Sequence, residues 1–267
     1  MPDRNGRLTD FEKNVYRRNI DIPEVGEAGQ LKLLKSRVLI IGLGGLGSSA
    51  VLYLAACGIG ELGIADSDRV ELSNLQRQIL HGRGDIGSEK TASAERTVRR
   101  IRPSMRLNLH PFRITLQNAS KVLARYDFII EATDNFESKF LINDTCVRMG
   151  KPFSHAGILG TFGQTMTVIP GQGPCFRCVF EDMPDPSSIE TTEEAGVLGC
   201  TAGVLGVIQA AEAIKYLIGR GELLTGRLLT CDTLTMTFRE VRLPLKNCCE
   251  ICLLQQTNQS GGSKRNG

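Results

Sequence analysis

A glycine-rich turn is the first feature of this sequence that could do chemistry. In RVLIIGLGGLGSS an apolar run is followed by Gly42, Gly44 and Gly47, which have the spacing G-x-G-x-x-G. Glycines let the backbone approach a phosphate closely, and a helix after them supplies N–H donors and a positive dipole end. Asp66 ends the next expected strand, where a carboxylate can bond ribose hydroxyls. The pattern predicts a nucleotide site without naming the nucleotide, and a turn built for packing alone is the alternative.

Cations and a second acid follow this turn in an order that suits a triphosphate. Arg77 lies in SNLQRQ, Lys90 opens an expected helix, and Asp134 follows the fourth expected strand in ATDN. Hydride transfer needs few cations, whereas a departing pyrophosphate needs Arg and Lys to neutralise it. An Asp at the carboxyl edge of an open α/β sheet can hold Mg²⁺ against phosphate oxygens. Each residue alone has an ordinary explanation as solvated surface or turn, but the ordered set favours a triphosphate.

Two C-x-x-C pairs predict a structural zinc site. GPCFRCVF contains Cys175 and Cys178, and NCCEICLL contains Cys249 and Cys252. Four thiolates from two tight pairs are typical of a closed tetrahedral Zn²⁺ site. A redox C-x-x-C is the competing interpretation, but it would not require a second pair. Cys248 adjoins the second pair, although only Cys249 leaves the two-residue spacer.

Alternating strands and helices predict an α/β fold with a Rossmann-like, doubly wound and mostly parallel sheet, extended by C-terminal antiparallel strands. The strands are expected at 37–41, at 61–66, within RLNLHPF, within YDFIIEATDN, in a hairpin-like stretch after residue 151, and near 227–231 and 235–243. The helices are expected from a capping box at Thr9 through Arg18, from the glycine turn to about Cys57, at 88–101 and at 203–218. We expect one domain over residues 1–253, with a nucleotide-binding half at about 1–150 and a second half at about 151–253. Residues 254–267 are expected to be a disordered tail, and 181–196 a mobile polar loop.

Composition narrows the class of protein. The formal net charge of +3 over 267 residues is too small to indicate nucleic-acid binding. The N-terminus is polar and no apolar stretch reaches membrane length, so neither a membrane span nor a signal peptide is expected. Nine cysteines favour a reducing compartment, and the cytoplasm is the expected location. The three histidines, His81, His110 and His155, form no catalytic pattern.

The motifs IGLGGLGSS, GIADSDRVELSNLQRQ, IGSEKTASA and EATDN together resemble one enzyme family. They are similar to the MoeB/ThiF/HesA adenylyltransferases, relatives of ubiquitin-activating enzymes, and the similarity runs from about Thr9 to Cys252. This resemblance implies a homodimeric, ATP-dependent enzyme. Its substrate would be a small ubiquitin-like sulfur carrier of the MoaD/ThiS type ending in Gly-Gly, as in molybdopterin or thiamine biosynthesis.

The resemblance also implies roles for individual residues. The glycine turn and the residues after it would bind ATP through Gly42, Gly44, Gly45, Gly47, Asp66 at the ribose, and Ser73, Asn74, Gln76, Arg77 and Lys90 around the phosphates. Asp134 with Asn135 would serve Mg²⁺ and the reacting end. Arg18 would reach the triphosphate of the partner subunit, although Arg17 is adjacent. The same four cysteines would hold zinc.

One position departs from the family pattern. Some members carry a cysteine shortly before E-A-G-V, where this sequence has Thr192. That difference argues against a covalent thiol intermediate on this loop and leaves adenylation untouched. Two other classes of function stay open at this point: an NAD-dependent oxidoreductase using the glycine turn, and a zinc-clipped binding module without chemistry.

Overall fold

A computed structural model describes residues 6–181, 183, 192–244 and 249–253, with the backbone alone at 192 and 193. Within these residues the strands form one sheet in the order β3-β2-β1-β4-β5-β6-β7-β8. The strands are β1 Arg37–Ile41, β2 Glu61–Ala65, β3 Arg106–His110, β4 Phe128–Glu131, β5 Phe153–Leu159, β6 Phe162–Val168, β7 Arg227–Asp232 and β8 Thr237–Arg242. Strands β1 to β5 pair in parallel, and β6, β7 and β8 continue the sheet antiparallel. The expected mostly parallel sheet with an antiparallel extension is confirmed.

The described helices cover both faces of this sheet. They are α1 Asp10–Val15, α2 Arg17–Ile20, α3 Gly26–Lys35, α4 Gly45–Cys57, α5 Lys90–Ile101, α6 Ala119–Leu123, α7 Phe136–Met149, α8 Phe176–Val179, α9 Thr192–Ala195 and α10 Gly199–Ile218. Alternation along β1 explains the arrangement, because successive side chains of a strand point to opposite faces. Val38 and Ile40 pack in the core with α4 and α10, whereas Leu39 and Ile41 pack in the core with α6 and α7. A sheet buried on both faces requires strands that are continuously apolar, as β1 is from Val38 to Ile41.

Contrary to the expectation that no stretch reaches membrane length, helix α10 is long and apolar enough, by length and composition, to cross a membrane. It packs instead against α4 and against strands β5 and β6, and half of its apolar stretch is buried. Its polar residues are bonded inside the protein: Gln209 donates to the Glu131 carbonyl oxygen at 2.8 Å, and Glu212 accepts from the Leu224 N–H at 2.7 Å. These contacts are those of a core helix.

The N-terminal helix differs from the expectation. The capping box is present, since Glu12 N–H donates to Thr9 Oγ1 and Thr9 N–H donates to the Glu12 carboxylate. However, the helix expected to continue through Arg18 breaks at Tyr16, which has φ −99° and ψ 13°. Tyr16 is buried in a small cluster with Leu8 and Leu34, and this packing sets the new direction of α2.

The start of α10 also differs. The helix expected from residue 203 begins at Gly199, where a Cβ would lie 2.6 Å from the Gln76 carbonyl oxygen. Gly199 is therefore a helical residue that allows α10 to pack closely against Gln76, and it does not form a turn before the helix. Residues 182 and 184–191 of the predicted polar loop, and the predicted tail 254–267, lie outside the described residues.

Candidate nucleotide site and cysteine cluster

The glycine turn joins β1 to α4 at the carboxyl edge of the parallel strands. Gly42 has φ +96°, and a Cβ on it would lie 2.5 Å from the Ala132 carbonyl oxygen that follows β4. A Cβ on Gly47 would overlap the Gly42 carbonyl oxygen. These two glycines are therefore required by the turn itself and by the close packing of α4 on it.

The two middle glycines face different surroundings. A Cβ on Gly45 would meet the Ala202 side chain of α10 at 2.7 Å. Gly44 is the N-cap of α4, and a Cβ on it would find Gln78 Nε2 at 3.9 Å as its nearest neighbour. The backbone at Gly44 thus borders open space at a helix N-terminus, which is the geometry that accepts a phosphate.

Asp66 and Lys90 meet beside this turn. The Asp66 carboxylate accepts the Leu43 N–H at 2.7 Å and the Asp68 N–H at 2.8 Å. Lys90 is buried at the start of α5, with Nζ 2.8 Å from Asp68 Oδ2 and 4.0 Å from Asp66 Oδ2. A carboxylate has about four lone-pair sites, so Asp66 can bond a ribose hydroxyl while it holds the glycine turn.

Three polar residues of SNLQRQ are held by local hydrogen bonds. Asn74 is buried and accepts the Glu71 N–H at 3.2 Å, which closes the 3₁₀ turn Leu72–Asn74. Ser73 is exposed, with Oγ 3.4 Å from Glu71 Oε2. Gln76 is also exposed and donates to the Val197 carbonyl oxygen at 3.4 Å.

Arg77 lies over the glycine turn. The Cβ and Cγ of Arg77 lie within van der Waals distance of the position a Gly45 Cβ would occupy, 3.6 Å away. Arg77 Nη1 donates to the Ser73 carbonyl oxygen at 3.1 Å. The structure therefore brings Arg77, Lys90 and Asp66 to one turn.

Asp134 lies beyond the end of β4, close in the chain to the Ala132 carbonyl that faces Gly42. Its carboxylate is exposed and lies 3.4 Å from the Asn135 amide nitrogen. Asn135 is the N-cap of α7, and its side-chain oxygen accepts the Ser138 N–H at 2.9 Å. Asn135 thus fixes the start of α7 through its oxygen and adjoins Asp134 through its amide nitrogen.

A buried ionic cluster supports this segment, and sequence reasoning missed it. Glu131 is fully buried at the end of β4, where its carboxylate lies 3.0 Å from Lys139 Nζ and 2.7 Å from His155 Nδ1. Lys139 also donates to the Thr133 carbonyl oxygen at 2.6 Å, and Thr133 N–H donates to Glu131 at 2.8 Å. The signal was available: a glutamate ending an apolar strand has to find a charged partner.

The charges of this cluster shift one another's titration. Burial raises the pKa of Glu131, but the Lys139 ammonium and the His155 ring outweigh it and lower that pKa to about 2. Burial lowers the pKa of His155, and Lys139 adds to this effect. Glu131 is therefore a carboxylate and His155 a neutral ring at neutral pH.

Arg18 lies away from its own chain's glycine turn. It is exposed over 96% of its side chain, and Nη1 is 3.9 Å from Asp21. The neighbouring Asn19 lies 3.4 Å from the Cys57 carbonyl oxygen, at the C-terminal end of α4. The glycine turn is at the other end of this 13-residue helix, about 20 Å away. The same holds for Arg17, which also pairs with Asp21.

The histidines have structural partners. His81 lies 2.9 Å from Ser93 Oγ and 3.2 Å from the Leu43 carbonyl oxygen, so it supports the glycine turn from behind. His110 lies 2.8 Å from the Tyr126 hydroxyl. Burial lowers the pKa of both rings. All three histidines are buried, in keeping with the absence of a catalytic pattern in the sequence.

The four predicted zinc ligands come together. Their sulfur atoms lie within 4.8 Å of one another, with separations of 3.9 Å for Cys175–Cys178 and 3.7 Å for both Cys175–Cys249 and Cys178–Cys252. A tetrahedron with zinc–sulfur bonds of about 2.3 Å has sulfur–sulfur edges of about 3.8 Å. The cluster therefore fits Zn²⁺ in both chemistry and size. Cys248, the alternative ligand, lies outside the described residues.

Comparison with known proteins decides the family. The sequence profile of the ThiF family matches residues 16–252. The chain belongs to the ThiF family. A relative in Haloferax volcanii, the SAMP-activating enzyme E1, is 43% identical over 237 residues, which are 89% of this chain and 87% of that protein. The sulfur carrier protein adenylyltransferase of Thermus thermophilus is 38% identical over 251 residues, which are 92% and 93% of the two chains.

A solved structure shares this ThiF-family fold. The crystal structure of E. coli MccB superposes with a TM-score of 0.78 at 22% identity and covers 90% of this chain and 73% of that one. The expected family, α/β fold and enzyme class are confirmed, since the sequence relatives are adenylyltransferases. Neither the Haloferax volcanii relative nor the Thermus thermophilus relative is named as an oxidoreductase, and the NAD-dependent alternative has no support.

Proposed function

We propose that this ThiF-family chain uses ATP to activate the C-terminal glycine carboxylate of a small ubiquitin-like sulfur carrier. The product would be an acyl-adenylate, with pyrophosphate released. One observation carries the proposal: Arg77 and Lys90 flank a glycine turn at a helix N-terminus, in a chain related to sulfur carrier adenylyltransferases. The cations supply what a triphosphate needs and a nicotinamide does not.

The residues of the site divide into ribose and phosphate contacts. Asp66 would accept a ribose hydroxyl, and the backbone at Gly42, Gly44, Gly45 and Gly47 would lie along the phosphates. Lys90 and Arg77 would neutralise the phosphate oxygens, with Ser73, Asn74 and Gln76 as neighbouring hydrogen-bonding groups. Lys90 would have to exchange its contact with the exposed Asp68 for a phosphate, and both contacts are charge-assisted.

The chemistry needs no enzyme base. A C-terminal carboxyl group has a pKa of about 3.5, so the carrier arrives as a carboxylate. Its oxygen attacks the α-phosphorus, the bond from that phosphorus to the β-bridging oxygen breaks, and pyrophosphate leaves with the electron pair. The enzyme's task is to position two anions and to neutralise the charge that develops. Three buried, structurally bonded histidines are consistent with such a site.

Asp134 would hold Mg²⁺ beside the phosphates. The residue fits this ion because its carboxylate is exposed and supplies hard oxygen donors, whereas the nearby Glu131 is buried in ion pairs. Mg²⁺ binds through one or two carboxylates together with phosphates and water, and it would neutralise phosphate charge. Asn135 would orient Asp134 through its amide nitrogen.

The active unit would be a homodimer. Arg18 lies at the far end of α4 from its own glycine turn, so within one chain it cannot act on the phosphates. A symmetric partner could place its Arg18 in this site, and Arg17 is the neighbouring candidate. We extend the proposal to a single adenylation domain over residues 1–253 in the cytoplasm. In it Cys175, Cys178, Cys249 and Cys252 hold a structural Zn²⁺.

Pyrophosphate exchange tests the function. The purified protein with Mg²⁺ and ATP should incorporate labelled pyrophosphate into ATP only when a carrier ending in Gly-Gly is present. A carrier with an amidated C-terminus serves as the matched control, since it lacks the attacking carboxylate. Exchange that is equally fast with the amidated carrier would overturn the proposal.

A further inference from the structure

Gln78 stands out among the buried side chains near the glycine turn. It is 4% exposed, and its Oε1 is buried without a hydrogen-bond partner. Within the described part of the chain its Nε2 makes no hydrogen bond, and unlike Oε1 this nitrogen is not sealed from solvent. A buried amide oxygen that is left unpaired destabilises a protein, so its retention calls for a function.

The position of this amide indicates its partner. Gln78 Nε2 is the atom nearest to the point where a Cβ on Gly44 would lie, 3.9 Å away. Gly44 is the N-cap of α4, where free backbone N–H groups face the open side of the turn. The amide nitrogen thus borders the space in which a phosphate would meet the helix N-terminus.

The amide is also held in place. Gln78 N–H donates to the Asn74 carbonyl oxygen at 2.9 Å, and His81 N–H donates to the Gln78 carbonyl oxygen at 3.0 Å. His81 in turn contacts the Leu43 carbonyl oxygen of the glycine turn. The segment that carries Gln78 is therefore tied to the turn, and its side chain has little freedom to find another partner.

We propose that Gln78 is a nucleotide-binding residue whose side-chain amide donates to a phosphate oxygen of ATP beside Gly44. The proposal rests on the proposed function, because it takes ATP as the ligand. It adds a neutral donor to Arg77 and Lys90. A neutral amide donates a directed hydrogen bond but carries no charge. It would therefore orient the phosphate chain and would not help to neutralise its charge.

Gln78→Leu tests this role by giving opposite effects on stability and binding. The change removes an unpaired buried amide at similar volume, so the melting temperature without nucleotide should stay the same or rise. The Kd for Mg-ATP, measured by titration calorimetry, should increase by about tenfold or more, because hydrogen bonds to charged groups are the stronger ones. The Kd for adenosine, which has no phosphate, should not change.

Gln30→Leu is the matched control. Gln30 is equally buried, but it donates to the Cys57 carbonyl oxygen at 2.9 Å, at the opposite end of α4. This variant should melt at a lower temperature and keep the wild-type Kd for Mg-ATP. Gln78→Glu should weaken Mg-ATP binding more than Gln78→Leu does, because a carboxylate repels the phosphate.

The outcomes separate the two proposals. A Gln78→Leu protein that melts early and binds Mg-ATP normally would overturn the role of Gln78, as would equal losses for ATP and adenosine. A wild-type protein that binds no ATP would overturn both proposals. Wild-type ATP binding that depends on Gln78, without carrier-dependent exchange, would uphold Gln78 and overturn the carrier-activating function.

Discussion

At the scale of single residues, the two acids of the candidate site, Asp66 and Asp134, differ in their surroundings. Asp66 holds the glycine turn through the Leu43 N–H and is nearly enclosed, so its position is set before any nucleotide binds. Asp134 is exposed, and among the described residues the Asn135 amide is the one group that lies within hydrogen-bond distance of its carboxylate. The first acid belongs to the framework of the turn as well as to the site, whereas the second is free to serve a ligand.

Asp134→Ala should therefore lower activity without unfolding the protein. We expect kcat/KM for carrier-dependent exchange to fall by about 10²-fold or more, the usual effect of removing one electrostatic contact from a reacting site. The melting temperature should stay near the wild-type value, because the side chain packs against little. Glu137→Ala is the matched control, since this exposed acid lies three residues later and pairs with Arg113. Near-normal exchange in Asp134→Ala would show that the Mg²⁺ assignment is wrong.

At the scale of elements, local sequence patterns predicted most of the helices and strands that position the candidate site. The apolar run of β1 and the glycine turn after it came directly from residue type, as did the capping box at Thr9. The two C-x-x-C pairs predicted a cluster that the fold assembles from distant segments. Each of these features is set by residues close together in the chain, so a single sequence is enough to predict it.

Features that depend on tertiary packing were missed. The first helix breaks at Tyr16, whose side chain is buried in a cluster with Leu8 and Leu34. Helix α10 begins earlier than expected, at Gly199, which packs against the Gln76 carbonyl oxygen. Neither contact is visible from neighbouring residues. Gln78 and the cluster around Glu131 were missed for the same reason, since a buried polar side chain is recognised only when its partners, or their absence, are known.

The Glu131 cluster connects β4, α7 and β5, and it should make stability depend on pH. The pKa of Glu131 in the folded protein, about 2, lies below its ordinary value of 4.5. The stabilisation is therefore present above pH 4.5 and is lost as pH falls toward 2. This difference corresponds to about 3 kcal/mol of unfolding free energy. The pKa of His155 is also lowered, so its protonation in the unfolded chain removes further stability below about pH 6.5.

Urea unfolding from about pH 7.5 to about pH 3 measures this dependence. Glu131→Gln should be destabilised at neutral pH, where it leaves the buried Lys139 without its carboxylate. Its stability should also fall less between about pH 5 and 3 than that of the wild type. Parallel pH curves for the two proteins would contradict the assigned pKa of Glu131.

At the scale of the whole molecule, the cysteine cluster ties the end of the described chain to the segment that follows β6. Cys175 is the N-cap of α8 and Cys178 lies within it, both are buried in the core cluster that includes α7, and Cys249 and Cys252 complete the set. A Zn²⁺ ion held by these four thiolates would have no open coordination position, so we expect it to stabilise the fold and to perform no chemistry.

Cys249→Ser should lose zinc and melt at a lower temperature. Metal analysis should give about one zinc per wild-type chain and a marked loss in the variant. Cys200→Ser is the matched control, because this exposed cysteine lies outside the cluster and should keep both metal and stability. Cys248→Ser should behave like Cys200→Ser if Cys249 is the ligand. A wild-type protein that is stable without metal would contradict the structural role of zinc.

The proposed dimer predicts complementation between two inactive variants. Arg18→Ala and Lys90→Ala should each abolish exchange, because every site of either homodimer lacks one cation. If Arg18 acts across the interface, a mixed dimer has one site with both cations: its Lys90 comes from the Arg18→Ala subunit and its Arg18 from the other. After subunit exchange in an equal mixture, about a quarter of the wild-type activity should return, since half of the dimers are mixed and each has one complete site.

Arg17→Ala is the matched control, since Arg17 shares the exposure and the Asp21 contact of Arg18, and it should stay active by itself. Mass spectrometry of differently tagged subunits confirms that exchange has occurred. An inactive mixture containing mixed dimers would contradict the action of Arg18 across the interface, and an inactive Arg17→Ala protein would transfer the role to Arg17.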